Sequence, residues 1–344
     1  MKRVLSAILA VMMLFSLVAL SSCGKKTAEE VKLGLGVSAA YGTSANADGE
    51  TNGKTGVTAT VAAVLLDANG KIVKCAIDEL APDLAYTAEG KAVANADLRT
   101  KLELGTDYGM AAYGQSQDKN GDGVVKEWNE QVAALVAAIE GKTIDEVKAL
   151  VVDGYATEDV QTAGCTIAVS GLIAAVEKAV ANAADSAATA DAALQLGVVA
   201  SQTVTDVTDE KDGSNELEIT VTAAALDANG KVQAAATDCV AASVSFDAKG
   251  AVTSDVKAAL ATKKELGTNY GMAAYGQSQD KNGDGVVKEW NEQAAAFDAA
   301  LAGKDAAGIA ALEADGYGVE SLQTAGCTIG ISDMVKAAVK AATV

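Results

Sequence analysis

A long internal repeat is the feature that most constrains how this chain of 344 residues can fold. The segment 104–131 (LGTDYGMAAYGQSQDKNGDGVVKEWNEQ) recurs as 266–293 with one substitution. The offset, 266 minus 104, is 162 residues, and the same offset relates the two QTAGCTI segments at 161–167 and 323–329. A period of this length indicates a duplicated domain, because solenoid repeats are several times shorter.

The two copies are expected to be domains joined by a short linker. The turn LDANGK, which begins at Leu66, recurs from Leu226 with an offset of 160, so two residues were gained before the near-identical segment. We expect one copy at 33–181 and the other at 194–344. Between them, the small and polar residues of 182–193 (NAADSAATADAA) are typical of an interdomain linker or of a frayed helix end.

The first part of each copy is predicted to be a sheet. In the first copy, 33–41, 58–66 and 72–77 have the apolar and β-branched composition of strands. The sequence DANG at 67–70 is typical of a hairpin turn. Because such a turn joins antiparallel neighbours, we expect an antiparallel sheet.

The second part of each copy is predicted to be helical. Apolar residues recur with a helical period from Trp128, and Gly141 is expected to end this helix. Thr143 is followed three residues later by Glu146, which predicts a capping box for the next helix, and Ser170 is expected to cap the last one. The predicted class is therefore α+β, with two tandem copies of antiparallel hairpins followed by two to three helices.

The composition excludes several classes of function. The formal net charge of -19 would repel nucleic acid and anionic lipid headgroups, so we expect no binding to nucleic acid. The chain has no His, which removes His general bases, Ser-His and Cys-His nucleophile pairs and His-ligated metals. Arg occurs only at positions 3 and 99, so a phosphate must be held by backbone N–H groups, by Lys or by a covalent bond.

The N-terminus resembles a bacterial lipoprotein signal with its lipobox. A basic start precedes an apolar run from Val4 to Leu20, short for a transmembrane span, and then Ser-Ser-Cys23. The resemblance implies that 1–23 is the signal segment, that Cys23 carries lipid, and that 24–32 is a tether. The protein is then expected outside the cytoplasm, lipid-anchored to the bacterial cell membrane. A retained transmembrane helix is the alternative.

Three sets of residues are candidates for a functional site, and the first is the acidic loop DKNGDG that occurs in both copies. Alternating oxygen ligands before a turn-forming Gly are what Ca²⁺ needs, as in an EF-hand loop, although Asn129 stands where that motif has a bidentate Glu. The alternative is a solvated acidic turn, because Asp, Asn and Gly are also turn formers. The expected ligands, for one ion per copy, are Asp118, Asn120, Asp122, the carbonyl of Val124 and Glu127, and in the second copy Asp280, Asn282, Asp284, the carbonyl of Val286 and Glu289.

The second set is aromatic. Only 4% of the residues are Phe, Trp or Tyr, yet eight of them stand at four equivalent places in the two copies. The rings either fill the core between sheet and helices, which is the interpretation favoured for Trp128, or form a ring-stacking pocket. Tyr108 and Tyr113, with Tyr270 and Tyr275 in the second copy, are the expected wall of such a pocket. The eight residues are Tyr108, Tyr113, Trp128 and Tyr155, and their equivalents Tyr270, Tyr275, Trp290 and Tyr317.

The third set is QTAGCTI and the apolar helix that follows it. These residues resemble the covalent-flavin motif of bacterial FMN-binding domains, such as those of the Rnf complex, of the sodium-translocating quinone reductase and of tandem-domain flavin lipoproteins of Gram-positive surfaces. Ala163 and Cys165 stand where that motif has Ser and Ala. The match covers the last third of each copy in detail, and the hairpins before it agree with such domains in outline.

The resemblance implies that a dedicated flavin transferase attaches FMN through a phosphodiester to Thr166 and to Thr328. The turns at Gly164 and Gly326 would expose these hydroxyls and bring backbone N–H groups near the phosphate. The implied function is a membrane-anchored electron carrier that accepts electrons from a membrane redox donor. FMN bound without a covalent bond, and a structural turn without flavin, are the alternatives at this site.

A different class of function also fits the sequence, namely a cofactor-free surface lipoprotein that binds a small ligand or a partner protein. A free-standing enzyme is the less favoured class, because no acid–base pair can be identified. The cysteines leave two possibilities open. One disulfide in each copy, Cys75 with Cys165 and Cys239 with Cys327, is permitted, but Cys75 and Cys239 are not equivalent, so buried free thiols are the alternative.

Overall fold

The computed structural model describes residues 29–117, 126–279 and 288–343. In these ranges the chain forms antiparallel sheets and short helices, so the predicted α+β class is confirmed. The signal segment with Cys23 lies outside the described residues, as does most of the tether. The same is true of every expected Ca²⁺ ligand except Glu127 and Glu289.

The first sheet has six antiparallel strands with β2 at its centre. On one side β2 pairs with β1, and β1 pairs with β8. On the other side, residues 59–66 of β2 pair with β3 and residues 53–56 pair with β4. The short strand β5 pairs with β4. The strands are β1 (Glu30–Ala45), β2 (Gly53–Leu66), β3 (Ile72–Leu80), β4 (Asp83–Tyr86), β5 (Ala92–Val93) and β8 (Ala184–Thr189).

The second sheet has three antiparallel strands in the order β11-β10-β9. Each half of the chain also has a two-stranded hairpin, formed by β6 with β7 and by β12 with β13. The strands are β6 (Val151–Val152), β7 (Tyr155–Ala156), β9 (Ala193–Thr205), β10 (Gly213–Leu226), β11 (Val232–Phe246), β12 (Glu313–Ala314) and β13 (Tyr317–Gly318).

The single proline explains why one copy has two strands where the other has one. Pro82 separates β3 from β4, whereas β11 runs without interruption through the equivalent Ala242. Proline has no N–H to donate to a neighbouring strand. Its carbonyl still accepts from the amide of Val57 at 2.9 Å, so β4 remains beside β2.

The helices follow the sheets in the same order in both halves. A 3₁₀ turn, Gly105–Tyr108 in the first half and Gly267–Tyr270 in the second, follows the first helix of each half. The helices of the first half are α1 (Lys101–Leu104), α2 (Met110–Gln117), α3 (Trp128–Ile139), α4 (Ile144–Lys148), α5 (Glu158–Ala163) and α6 (Ser170–Ala181). Those of the second half are α7 (Lys263–Leu266), α8 (Met272–Gln279), α9 (Trp290–Leu301), α10 (Ala306–Ala310), α11 (Glu320–Thr324) and α12 (Ser332–Ala341).

The two sheets pack face to face and share one core, while the helices cover their outer faces. Alternate residues of β2 point to opposite sides: Val61 and Leu65 lie between the sheets, and Val64 and Leu66 lie under the helices. The residues of β10 alternate in the same way. Because both faces of these strands are buried, their sequences are apolar over long stretches instead of alternating with polar residues.

Glycines allow the last helix of each half to lie directly on its sheet. A Cβ at Gly34 of β1 would overlap the carbonyl oxygen of Ala179 in α6. Gly197 of β9 meets the carbonyl oxygen of Ala337 in α12 in the same way. Any larger residue at these two positions would push the helix away from the sheet.

The contacts between the two halves are reciprocal, as in an isologous dimer. The equivalent residues Tyr86 and Phe246 are both fully buried, and their rings stack with centroids 4.8 Å apart and planes 12° apart. Each ring lies against a glycine of its own sheet, Gly53 and Gly213, where a Cβ would overlap it. The stack therefore joins the two sheets at equivalent points.

The polar contacts between the halves are reciprocal as well. The amide of Ala47 donates to the carbonyl oxygen of Gly250 at 2.9 Å, and the amide of Val207 donates to that of Gly90 at 2.9 Å. Val207 is equivalent to Ala47, and Gly90 to Gly250. Two ion pairs are also equivalent to each other: Lys178 with Glu265 at 2.7 Å and Lys340 with Glu103 at 2.6 Å.

Two of the three helix ends expected in the first half are present in the structure. The capping box of Thr143 and Glu146 is present, and Gly141, with a φ of 84°, follows α3. The prediction that Ser170 caps the last helix is wrong: Val169 is the N-cap residue, and Ser170 Oγ donates to the carbonyl oxygen of Gly154 at 3.5 Å. The hairpin that carries Gly154 packs against the start of α6 and draws this hydroxyl away from the helix.

The segment between the halves is not a free connection. Half of the expected linker 182–193 forms β8, which extends the first sheet beside β1. The strand β1 itself begins at Glu30, within the expected tether 24–32. Small polar residues suit an edge strand as well as a linker, so composition alone does not distinguish the two.

Candidate ligand-binding site

The second half of the protein contains a cavity of about 590 Å³ between its sheet and its helices. This volume lies within the range of pockets that hold cofactors and other small ligands. Buried residues of β10, α7 and α9 form its floor, and exposed residues of α8, β13 and the QTAGCTI turn form its mouth. The lining residues include Glu218, Lys263, Tyr275, Lys288, Trp290, Gln293, Tyr317, Thr328 and Asp333.

A buried lysine lies on the floor of the cavity. Lys263 Nζ is 5.3 Å from the ring centroid of Tyr270 and 5.5 Å from that of Trp290, and it donates to Glu218 Oε2 at 2.9 Å. Lys263 is the first residue of α7, which starts at a capping box: Thr262 Oγ1 accepts from the amide of Glu265 at 3.1 Å. The cap thus fixes where the lysine leaves the backbone.

The equivalent lysine of the first half has the same surroundings. Lys101 Nζ is 4.8 Å from the ring centroid of Tyr108 and 5.5 Å from that of Trp128, and it donates to Glu79 Oε1 at 2.5 Å. Burial opposes the charge of Lys101, but the Glu79 carboxylate outweighs it and raises the pKa of the ammonium above its usual value. The group is therefore a permanent cation at neutral pH.

The carboxylate that holds this lysine comes from a different strand in each half. Glu79 lies on β3, and its equivalent on β11 is Cys239. Glu218 lies on β10, and its equivalent in β2 is Thr58. Each half thus contains a lysine–carboxylate pair, although neither Glu has a Glu at its equivalent position in the other half. Because apolar residues can replace a buried ion pair at little cost in stability, the repetition indicates a role in the site.

The two threonines predicted to carry flavin are exposed and held by one side chain each. Gln131 Oε1 accepts from the amide of Thr166 at 2.9 Å and from its hydroxyl at 3.0 Å. Gln293 Oε1 accepts from the amide of Thr328 at 2.8 Å and from its hydroxyl at 3.2 Å. Each glutamine belongs to a long helix and is 3% exposed, so it fixes the turn firmly.

Glycine and lysine complete the turn before each threonine. Gly164, with a φ of 115°, ends α5, and its equivalent Gly326 has a φ of 105°, so both backbones are in the left-handed region that favours glycine. A Cβ at Gly326 would overlap the ammonium of Lys288. Lys288 Nζ donates to the carbonyl oxygen of Ala325 at 3.4 Å, and thus a positive charge lies close to Thr328.

The tyrosines predicted as one wall occupy two different places. Tyr275 and Tyr113 are 67% and 66% exposed, and Tyr275 lines the mouth of the cavity. Tyr270 and Tyr108 instead pack beside the buried lysines. Tyr108 and Tyr270 end the 3₁₀ turns, whereas Tyr113 and Tyr275 lie on the helices that follow, so the rings of the two tyrosines do not form a single wall.

The remaining aromatic residues are divided between core and mouth. Trp128 and Trp290 are 2% and 3% exposed and belong to the core under the helices. Tyr317 lies at the mouth of the cavity and is 52% exposed. The turn Asp315-Gly316, with φ angles of 51° and 87°, has the backbone of a two-residue hairpin loop and presents this tyrosine outward.

Sequence reasoning missed the lysines and glutamines of the site. Gln131 and Lys126 lie within the near-identical segment, but no motif distinguishes them from its other residues. Lys101 and Lys263 recur in TKLELG and TKKELG, and this short repeat is a signal that could have found them. Their carboxylate partners carry no such signal, because the two Glu residues are not equivalent.

The described ends of the acidic loops have a structural role. Glu127 Oε2 accepts from the amide of Met110 at 3.0 Å, and Glu289 Oε2 accepts from that of Met272 at 3.0 Å, which ties the start of each long helix to the helix before it. No group of three or more His, Cys, Asp or Glu side chains within the described ranges could hold a metal ion. The other predicted Ca²⁺ ligands lie outside those ranges.

One polar atom beside each acidic loop has no hydrogen-bond partner. The side-chain oxygens of Asn129 and Asn291 are both buried, and neither accepts a hydrogen bond. Buried acceptors without a partner are rare, and a bound cation is one of the ways in which they are satisfied. These asparagines stand where an EF-hand loop has its final ligand, whereas the predicted ligand sets end at Glu127 and Glu289.

All four cysteines in the described part of the chain are buried free thiols. Burial raises the pKa of Cys75 and of Cys239 to about 12. Burial and the charge of Asp298 raise the pKa of Cys327 to about 11. The thiols are therefore protonated and unreactive at neutral pH.

The site residues are retained between the halves while the packing residues have changed. Of the 16 residues that line the cavity, 12 have an identical equivalent in the first half. In contrast, the buried residues of the long helices differ: Leu135 is replaced by Phe297, and Ile139 by Leu301. Core positions tolerate such exchanges, and the lining of the cavity thus differs less between the halves than these packing positions do.

Comparisons with other proteins leave the family open. No protein-family model matches the chain, and no curated protein or solved structure is significantly similar to it. Within the described ranges, no helix is both long enough and apolar enough to cross a bilayer.

Proposed function

We propose that the protein is a lipid-anchored, extracytoplasmic electron carrier that holds one FMN in each of its two halves. The observation that carries this proposal is the position of Thr328. This exposed residue lines the mouth of a cavity of about 590 Å³, which Trp290, Tyr275 and Tyr317 also line. Thr166 is exposed in the equivalent turn.

The residues of the cavity fit the parts of an FMN molecule. Tyr275 and Tyr317 offer aromatic surface to a flat ring, and Lys288 offers a positive charge next to the threonine for a phosphate. The amide of Thr328 donates to Gln293 independently of the hydroxyl. The turn would therefore keep its geometry after the hydroxyl had been esterified.

Bound FMN would supply the electron-transfer chemistry, and the residues of this chain would bind and orient it. Gln293 holds the turn that presents Thr328, and Lys263 places a cation on the cavity floor. The reciprocal packing of the two halves fixes the two sites relative to each other. The lipoprotein-like N-terminus supports a membrane anchor, a membrane redox donor and a flavin transferase as partners.

Calcium is the second expected ligand, with one ion in each acidic loop. Support comes from the ligand pattern of the sequence and from the buried, unpartnered side-chain oxygens of Asn129 and Asn291. Glu127 and Glu289 already accept a backbone amide each, so they would contribute their remaining lone pairs. The ion would stiffen the segment between α2 and α3 and its equivalent.

A cofactor-free binding module is the second candidate function. The hydroxyl of Thr328 is already engaged with Gln293, and Ala325 and Cys327 stand where the resembling flavin motif has Ser and Ala. The same cavity would then hold a small ligand without a covalent bond. The two candidates differ in visible absorbance and in mass.

Replacing the threonines tests the proposed attachment sites. When the full chain is produced beside a flavin transferase, T328A and T166A should each lose one FMN, and the double variant should lose both. T343A, at an exposed position outside the cavity, is the matched control and should keep both. A double variant that still carries covalent flavin would contradict the assignment.

A further inference from the structure

The buried lysine on the cavity floor is not explained by the attachment of a ligand at the cavity mouth. Lys263 is 8% exposed, and its ammonium donates a hydrogen bond to Glu218. A buried cation carries a large desolvation cost unless it is paired, and the pair is present in both halves. A fixed cation beneath an aromatic-walled cavity is suited to a flat ring that is negatively charged.

We propose that Lys263, and Lys101 in the first half, select the charge of the bound ring system, so that each site binds an anionic flat ring more tightly than a neutral one. The inference rests on the proposed function, because a reduced flavin ring is anionic at neutral pH and an oxidised one is neutral. The preference would stabilise the reduced state of the carrier.

The main support for this role of the lysines is that their carboxylate partners lie on different strands in the two halves. The cation is retained at one position, Lys101 or Lys263, whereas the carboxylate that holds it has changed from β3 to β10. The retained group is therefore the lysine. The aromatic neighbours are retained as well, since each ammonium lies over one Tyr and one Trp ring.

In the second half, the carboxylate does not cancel the effect of the lysine on a ligand. The Glu218 side chain is 45% exposed, so water screens much of its charge, while the side chain of Lys263 is 9% exposed. In the first half, Glu79 and Lys101 are 13% and 12% exposed, so the carboxylate offsets more of the charge of the lysine. A charge with low exposure acts on its surroundings through a lower effective dielectric. The balance at the floor of the second-half cavity is thus positive even though the pair is formally neutral, and we expect the stronger preference in this half.

The test compares two charge states of one probe on the full mature chain, produced without a flavin transferase. Riboflavin is titrated in its oxidised form and, under anaerobic conditions, in its dithionite-reduced form, and the bound fraction is measured by equilibrium dialysis at pH 8. We expect the wild type to bind the reduced form about tenfold more tightly or better, which corresponds to about 1.4 kcal/mol. In K101M/K263M this ratio should fall close to one.

Two control variants keep the test specific. K257M removes the same charge at an exposed residue that does not line the cavity and should retain the wild-type ratio. K101R/K263R keeps the charge and should restore most of the preference, which a merely structural role of the lysines would not explain. Melting temperatures of all variants check that the fold is intact.

The outcomes separate the two proposals. Binding of riboflavin without a preference for the reduced form, or a preference that survives in a folded K101M/K263M variant, would overturn this inference alone. Failure of the wild type to bind riboflavin in either form, together with colourless protein after co-production with the transferase, would overturn the proposed function and this inference with it.

Discussion

Asp298 shows how a single buried carboxyl makes the stability of this protein depend on pH. It lies on α9, where the first half has Val136, and its Oδ2 accepts from the amide of Thr237 at 3.0 Å. Its other oxygen is buried without a partner, and Lys264 Nζ is 3.6 Å away from Oδ2. Burial raises the pKa of Asp298 to about 6 in spite of this lysine.

The sign of the effect follows from the direction of the shift. Because the pKa of Asp298 is higher in the folded state than in the unfolded chain, the folded state binds more protons between pH 4 and pH 6. The contribution of this carboxyl to stability is therefore most favourable below its unfolded pKa and is lost as the pH rises through about 6.

Replacing Asp298 by Asn should remove this dependence. The Asn side chain resembles the protonated acid and keeps an acceptor for the amide of Thr237, so D298N should be more stable than the wild type at pH 7.5 by about 2 kcal/mol. The two proteins should converge near pH 4.5. Urea unfolding at both pH values measures the difference, and curves that stay parallel from pH 4.5 to pH 7.5 would refute the account.

Helices and strands could be predicted where a local signal agrees with the tertiary environment. The capping box at Thr143, the hairpin turns and the long apolar helix from Trp128 are such cases. Ser170 failed as a cap because a distant hairpin takes its hydroxyl. The strand β8 was missed because its composition is that of a linker, and pairing with β1 decides its structure.

Only the part of the site that has a local sequence signal could be predicted. Thr166, Thr328 and their glycines lie in a motif with a recognisable turn. Gln131 and Gln293 lie 35 residues before the threonines that they hold, and no local pattern connects them. The carboxylates of Glu79 and Glu218 reach equivalent lysines from different strands, so spacing could not identify them.

Ca²⁺ in the acidic loops would make the thermal stability of the protein depend on chelator. If Ca²⁺ binds to Asp122 and Asp284 and their neighbours, chelator should lower the melting temperature of the wild type, because an ion that binds only the folded state stabilises it. The variant D122A/D284A should melt lower and should lose most of the response to chelator. D209A, at an exposed turn, should respond as the wild type does. A wild type whose melting is indifferent to chelator would rule out the ions.

The two halves are united by the core between their sheets. The repeat predicted two domains joined by a linker, whereas the structure places one face of each sheet in a shared core and stacks Tyr86 on Phe246. Sequence patterns could not reveal this, because a strand buried on both faces has no polar side to mark its surroundings. The reciprocal contacts follow only once the two sheets are placed face to face.

The shared core predicts that the halves unfold together. The two Trp residues allow this to be observed separately, since W290F leaves Trp128 to report on the first half and W128F leaves Trp290 to report on the second. When urea unfolding is followed by Trp fluorescence, the two variants should have the same midpoint once the effect of each Trp→Phe change on stability has been subtracted. In Y86A both transitions should shift together, by about 3–4 kcal/mol, because a large buried ring is lost. Independent transitions would contradict a common core.

The proposal that both halves carry flavin is tested most directly by the visible spectrum and intact mass of the mature protein, produced in its own host or beside a flavin transferase. The account predicts a yellow protein whose mass exceeds that of the lipidated chain by two FMN molecules less two waters. A colourless protein without added mass, which also fails to bind riboflavin, would contradict it and would leave the cofactor-free binding module as the better description.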